Sequence, residues 1–226
     1  MARAAARYNK GLKIYFVIGY KHQQSCTIIA SAKKGAMHAN ESLSKIQRLL
    51  HCNICENRKF VPISEFVLES PSTILDCDCK KYAVGKIIIE LGPIWSGEIF
   101  DIEYIESLLE NSKEQPWEKL VKLSLTQILE EARCNSDQMD SPDAKKLKLI
   151  ESSPYFYFNT HRHSSKEYHL IKVSKIIEIL RKHGYRASRT HFDPEAVRTS
   201  ASLTEYKGAI EKFYSEHCNY KDFNKF

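Results

Sequence analysis

Residues 184–194, Gly-Tyr-Arg-Ala-Ser-Arg-Thr-His-Phe-Asp-Pro, hold the most chemically capable run of side chains in the chain. Arg186, Arg189 and His191 alternate there with small or apolar residues, directly after a predicted helix end. Strand alternation would put Arg189 and His191 on one face, with Tyr185 beside them. A basic, aromatic-bearing surface of that kind suits a phosphate backbone and an occasional stacked base. A solvated edge strand would have the same pattern. The second cluster is Cys52-Asn-Ile-Cys55 followed by Cys77-Asp-Cys79. Two cysteine pairs about 20 residues apart are the usual sequence form of a structural four-sulfur zinc site. Zinc would crosslink the loop-rich stretch 56–76, which has too few apolar residues to order itself. The second pair has a one-residue spacer, which forces a tighter chelate. Four thiols without a metal is the alternative reading. Cys26, Cys134 and Cys218 are isolated and read as packing or surface residues.

The elements that must position these groups can be read from periodicity. Residues 12–20 and 26–32 are β-branched and aromatic runs around a polar stretch, the pattern of an antiparallel hairpin. Two strands alone are marginal in water, so this hairpin needs more sheet than its own residues supply. A short helix is predicted over 36–45, a weak strand within 60–75, and a strand over 86–91 ended by Gly92-Pro93. Acidic helices follow over 102–110 and 117–132, and 135–143 has loop composition. Near the C-terminus, the aromatic run Tyr155-Phe156-Tyr157-Phe158 precedes a helix from Ser174, a good N-cap, to His183, closed by Gly184. A strand over 185–191, a turn at Asp193-Pro194 and a helix over 203–214 complete a winged-helix-like order.

At 226 residues the chain can bury a core of one or two domains, and 42% hydrophobic content places it among globular proteins. No apolar run approaches the ~18 residues of a membrane span, so no membrane is expected. Seven cysteines without a secretory signal point to a reducing compartment rather than a disulfide framework. Residues 1–85 hold 13 basic against 6 acidic residues, 86–143 hold 5 against 13, and 144–226 hold 16 against 9. Two basic lobes around an acidic insert suggest a polyanion gripped at both ends; chance segregation of solvated faces would look the same. No glycine-rich phosphate loop, nucleophile triad or carboxylate pair stands out. His161 and His163 read as surface or RNA-facing rather than metal-binding, and Lys145-Lys146-Leu147-Lys148 as a nuclear-import-like cluster or a solvated linker.

Several motifs occur in order: Ala4-Ala5-Ala6-Arg7 with Gly11-Leu12-Lys13-Ile14, Lys34-Gly35, Cys52/Cys55, Gly92-Pro93-Ile94-Trp95-Ser96-Gly97-Glu98-Ile99, and Gly184 to Pro194. Together they resemble the second half of the tRNA (guanine-26 N2)-dimethyltransferase family, most like a vertebrate-type paralogue. The resemblance spans nearly the whole chain. It implies an α+β fold made of three parts: the C-terminal end of a Rossmann-type methyltransferase sheet (1–35), a zinc-knuckle-like and helical linking region (36–140), and a winged-helix-like tRNA-binding domain (150–226). The hairpin would then be the last strand pair of the methyltransferase sheet. Cys52, Cys55, Cys77 and Cys79 match the family's zinc-type positions, with the second pair departing from the usual spacing. Arg186, Arg189, Thr190 and His191 match its tRNA-contact motif.

The resemblance further implies S-adenosylmethionine as cofactor and tRNA as partner; no obligate protein partner is inferred. The cofactor-binding half is expected to lie outside this chain, which alone is expected to be inactive, with no catalytic or cofactor-binding residue of its own. Expected RNA contacts are led by Arg186 and Arg189, then Lys175, Arg181, Lys182, Arg198, His191, Lys33 and Lys34. A nuclear or nucleolar location is expected, with the cytosol as alternative. The rival reading is a zinc-bearing winged-helix module that binds nucleic acid or serves as a scaffold without catalysis.

Overall fold

The computed structural model describes residues 1–20, 25–63, 71–75, 77–81, 85–135, 156–163 and 170–217. Asp76, the loop residues 136–143, the cluster 145–148, Tyr155 and Cys218 lie outside the described residues. Two compact units form: residues 1–17 with 27–101, and residues 18–26 with 102–226. The described residues are mixed α and β with three small sheets, agreeing with the expected α+β class at that level.

Helix α1 (Ala2–Arg7) leads into β1 (Lys10–Tyr20), which pairs with β2 (Ser25–Lys34) as the expected hairpin; residues 18–20 and 25–26 of it belong to the second unit and the rest to the first. Helix α2 (Ala36–Ser44) crosses β1 at very close range. A Cβ on Gly11 would lie 2.1 Å from the carbonyl oxygen of His38, so only glycine permits this approach. The buried Ser42 hydroxyl accepts the Leu12 N–H at 2.8 Å and fixes the same crossing.

Three further strands follow: β3 (Ile46–Cys52), β4 (Arg58–Pro62) and β5 (Ile88–Trp95). They form an antiparallel sheet in the order β4-β3-β5. β3 is the central strand, with Leu49 and Leu50 buried. β5 does not end at Gly92-Pro93 as expected but continues through a cis Gly92–Pro93 bond. It can do so because it is an edge strand and its register against β3 shifts between Gln47 and Leu49, so the missing proline N–H is not needed. A short helix, α3 (Pro71–Ile74), and a 3-10 turn at Asp78–Lys81 lie between β4 and β5.

The second unit contains α4 (Ile102–Asn111), α5 (Glu118–Asn135), β6 (Tyr157–Asn159), α6 (Val173–Lys182), β7 (Ala187–Arg189), β8 (Ala196–Thr199) and α7 (Leu203–His217). Its antiparallel sheet has the order β6-β8-β7. Phe158, Ala187 and Val197 join Ile176, Ile177, Ile179 and Leu180 of α6 and Tyr206 and Ala209 of α7 in one core. Strand alternation splits the aromatic run, burying Phe158 and leaving Tyr157 exposed.

Two local expectations change. Ser174 sits inside α6 and does not cap it; Lys172 occupies the cap position without a side-chain hydrogen bond. The strand expected over 185–191 shrinks to 187–189. Thr190 ends it, its hydroxyl donating to the Asp193 carbonyl at 2.8 Å and so turning the chain. Gly184, at φ +84, closes α6 as expected. Among the described residues, no helix is long and apolar enough to cross a membrane.

Candidate functional site

The first unit gathers the four cysteines. β3 delivers Cys52, fully buried, at its C-terminal end, and the turn over 53–55 brings Cys55 back toward it. That turn is closed by backbone bonds from Cys52 N–H to Asn57 O (2.9 Å) and from Glu56 N–H to Cys52 O (3.0 Å). It includes a left-handed Glu56 at φ 55. Cys77 and Cys79 arrive through the 3-10 turn, whose tight pitch accommodates the one-residue spacer.

All four sulfur atoms lie within 4.8 Å of one another. A tetrahedral site with metal–sulfur bonds of about 2.3 Å needs sulfurs about 3.8 Å apart, so a small contraction would suffice. The six described cysteines are all free thiols. Burial pushes the Cys55 thiol up to about 11 and raises Cys77 and Cys79 as well. Burial acts the same way on Cys52, but the backbone N–H groups of Cys55 and Ile54 outweigh it and hold that thiol below its ordinary value. Behind the sulfurs lies an apolar cluster of Leu50, Val61, Leu75 and Ile88.

The second unit carries the basic motif, and it divides into a frame and a surface. Arg198 of β8 stands opposite Tyr157 of β6 and Ser188 of β7. Its Nε donates to Glu131 Oε1 at 2.7 Å. The other oxygen, Oε2, accepts the His191 backbone N–H at 2.9 Å and meets ring Nδ1 at 2.7 Å. The second ring nitrogen, Nε2, accepts the Gly19 N–H at 2.8 Å. A backbone amide can only donate, so Nε2 carries the lone pair and Nδ1 the proton. Burial would raise the Glu131 carboxyl, but the His191 hydrogen bond and the Arg198 charge outweigh it and hold the group below the usual carboxylate range.

The nine basic residues expected to touch RNA therefore separate. Arg198 (4% exposed) and His191 are engaged with Glu131, and Arg186 (7% exposed) is buried. These three brace the fold: β8 is buried along its whole length and β7 at its first two positions, so these basic side chains, on or beside them, are covered. Arg189, Arg181 and Lys182 are exposed. Arg181 Nε donates to the Ala187 carbonyl at 3.0 Å, which steadies its guanidinium without covering it. Lys175 and Lys182 flank Glu178 at 2.9 and 3.2 Å. Lys33 and Lys34 are exposed at the end of β2, in the first unit.

His161 and Arg162 cap a turn, their N–H groups donating to Asn159 Oδ1 at 3.0 and 3.1 Å. Glu131 was not anticipated, because its helix reads as acidic and solvated. Helical spacing does hold a signal, since Gln127, Glu131 and Cys134 recur at i, i+4 and i+7 on one ridge. Gln127 Nε2 donates to the Thr190 carbonyl at 2.6 Å, and Cys134 is buried beside Arg198.

A family model described as TRM, N2,N2-dimethylguanosine tRNA methyltransferase, matches residues 1–211. The tRNA (guanine(27)-N(2))-dimethyltransferase of Rattus norvegicus is 32% identical, covering 94% of this chain and 35% of that protein. The tRNA (guanine(26)-N(2))-dimethyltransferase of Methanobrevibacter smithii is 26% identical, covering 96% of this chain and 49% of that protein. Among solved structures, Trm1 from Pyrococcus horikoshii in complex with S-adenosyl-L-methionine superposes with a TM-score of 0.62 at 21% identity. It covers 92% of this chain and 46% of that one, a likeness of fold. The chain thus spans about a third of the length of the vertebrate relative and about half that of the archaeal one. A match running across residues 1–211 gives no support to the expectation that the chain is without the cofactor-binding half.

Proposed function

The chain belongs to the N2,N2-dimethylguanosine tRNA methyltransferase family, and from that premise we propose that it binds tRNA and positions it for methylation of a guanine N2. S-adenosylmethionine supplies the methyl group in this reading. When bound, it would supply a methyl on a sulfonium centre whose sulfur would keep the electrons of the broken carbon–sulfur bond, and the amine proton would pass to an acceptor. The exocyclic amine is a poor nucleophile, so the reaction depends on holding the base and its backbone in place. The basic residues of this chain do that holding.

Arg189, Arg181 and Lys182 offer exposed cations to the phosphate ribbon in the second unit, and Lys33 and Lys34 in the first. Arginine suits the task because its planar fork can engage two phosphate oxygens. Arg186, Arg198 and His191 serve as the brace under that surface. The observation that carries this reading is the contrast within one short motif. Arg189 is exposed, with no ion pair among the described residues, while its neighbours are locked inside. The order β6-α6-β7-β8-α7 supports the winged-helix-like reading of this tRNA-binding part, within 150–226.

In the first unit, Cys52, Cys55, Cys77 and Cys79 would hold a structural zinc. The closely spaced sulfurs, Cys52 buried and the other three partly buried, and their apolar backing fit a closed four-thiolate site. Zinc would there fix the ends of β3 and β5 and take no part in the chemistry. The functional segments 1–35, 36–140 and 150–226, and a nuclear location resting on Lys145 to Lys148, belong to the same reading.

Competition between tRNA and duplex DNA at matched salt tests the proposal. Preference for tRNA supports it, and equal binding favours a general nucleic-acid or scaffold module.

A further inference from the structure

At the Ile46 end of β3, opposite the end that carries Cys52, the first unit opens a cleft of about 540 Å³. Its walls are apolar: Leu43 and Ile46 on one side of the chain turn, Pro62 and Ile63 from the end of β4. Three polar residues also line it: Ser44, whose hydroxyl donates to the Glu41 carbonyl, and Arg3 from α1 and Gln47 from β3. Among the described residues the Arg3 and Gln47 side chains have no hydrogen-bond or ion-pair partner. A cleft of this size, apolar with a few uncommitted polar groups, is the usual form of a site for a small organic group.

The charge around it selects the ligand. Arg7 follows Arg3 one turn later on α1, and both are exposed. Lys10, Lys33 and Lys34 lie at the Gly35 end of α2, where the Gly35 N–H donates to Asn9 O at 2.8 Å, and not in the lining of the cleft. The acid on the neighbouring helix, Glu41, is already paired with Lys45 at 2.9 Å. Arg3 is thus the cation lining a largely apolar interior, which fits a flat, weakly polar ring carrying an anion.

We propose that this cleft takes one unpaired nucleotide of a bound RNA. The base enters between the Leu43/Ile46 and Pro62/Ile63 walls, the Gln47 carboxamide reads its edge, and Arg3 meets its phosphate. Single-stranded bases are recognised in this manner, by face contact and edge hydrogen bonds, because they can leave the stack. The inference rests on the tRNA-binding reading and adds a place and a contact to it.

The test uses the full chain with a benzophenone-bearing amino acid in place of the exposed Ile63. On irradiation with tRNA, crosslinking is expected at one unpaired nucleotide. Leu43→Trp, which fills the cleft from a partly exposed position, should remove that crosslink. Arg3→Ala should weaken tRNA binding roughly tenfold and lower the salt slope by about one. Gln47→Ala, which removes only an uncommitted amide, should also weaken binding with the melting temperature unchanged; undiminished binding by this variant overturns the proposal. Binding of tRNA with no crosslink, or with crosslinks spread along duplex stems, overturns the cleft and leaves the tRNA reading standing. No tRNA binding by the unaltered chain overturns both.

Discussion

Replacing Glu131 by glutamine would remove one charge and almost no volume, and it isolates what the carboxylate does. In the folded chain Glu131 is fully buried, and Arg198 is nearly so. The carboxylate is the acceptor for the Arg198 Nε at 2.7 Å and for both the ring and the backbone N–H of His191. With glutamine, Arg198 keeps its charge in a place water does not reach, and one of the former acceptor positions becomes a donor. Breaking a buried ion pair from one side costs about 3–5 kcal/mol. At about 2–4 °C per kcal/mol for a chain of this size, the melting temperature should fall by roughly 6–20 °C.

Urea unfolding followed by far-UV circular dichroism would measure the loss as a shift in midpoint at constant slope. Arg198→Met in the same background should recover part of it, because the stranded charge is gone. The coupling between the two sites in a double-mutant cycle should exceed about 1 kcal/mol. A cooperative Glu131→Gln protein within about 1 kcal/mol of the unaltered chain, with no coupling to Arg198, would show that the brace is not electrostatic.

Other expectations follow from the same geometry. Stability should fall on acidification. The Glu131 carboxyl is held low in the folded chain, so its contribution is present at neutral pH, above the ordinary glutamate range, and is lost as pH drops through the depressed folded value. Acid titration of Glu131→Gln should be visibly flatter, and an unchanged acid limb would remove Glu131 as its source. Elemental analysis should find about one zinc per chain, and strong chelation should melt the β3–β5 region, with Cys52→Ser behaving like the chelated protein; full stability without metal would end the zinc reading. Gly11→Ala should cost about 1–3 kcal/mol or more, because the added methyl collides with a backbone carbonyl that cannot swing away. Arg189→Ala should weaken tRNA binding and reduce the salt slope by about one, with thermal melting unchanged. Arg198→Ala should do the reverse, lowering stability first.

Some of this was legible without coordinates because it depends on neighbours in the chain. The hairpin, the helix over 102–110 and the stripe of Ile176, Ile177 and Leu180 follow from local periodicity, and local periodicity survives into the fold. The cysteine pairs were legible for a related reason, since thiol pairs separated by a short loop converge whenever that loop closes. Which cations face water was not legible. Arg186, Arg189 and Arg198 have the same chemistry, and only strand register, together with Glu131 arriving from a helix 67 residues before Arg198, separates a brace from a contact. The cleft beside Ile46 was equally hidden, because its walls come from α1, α2, β3 and the end of β4. Sequence determines what each side chain can do; long-range packing decides which of them remain free to do it, because burial and partnership are properties of surfaces brought together from distant parts of the chain.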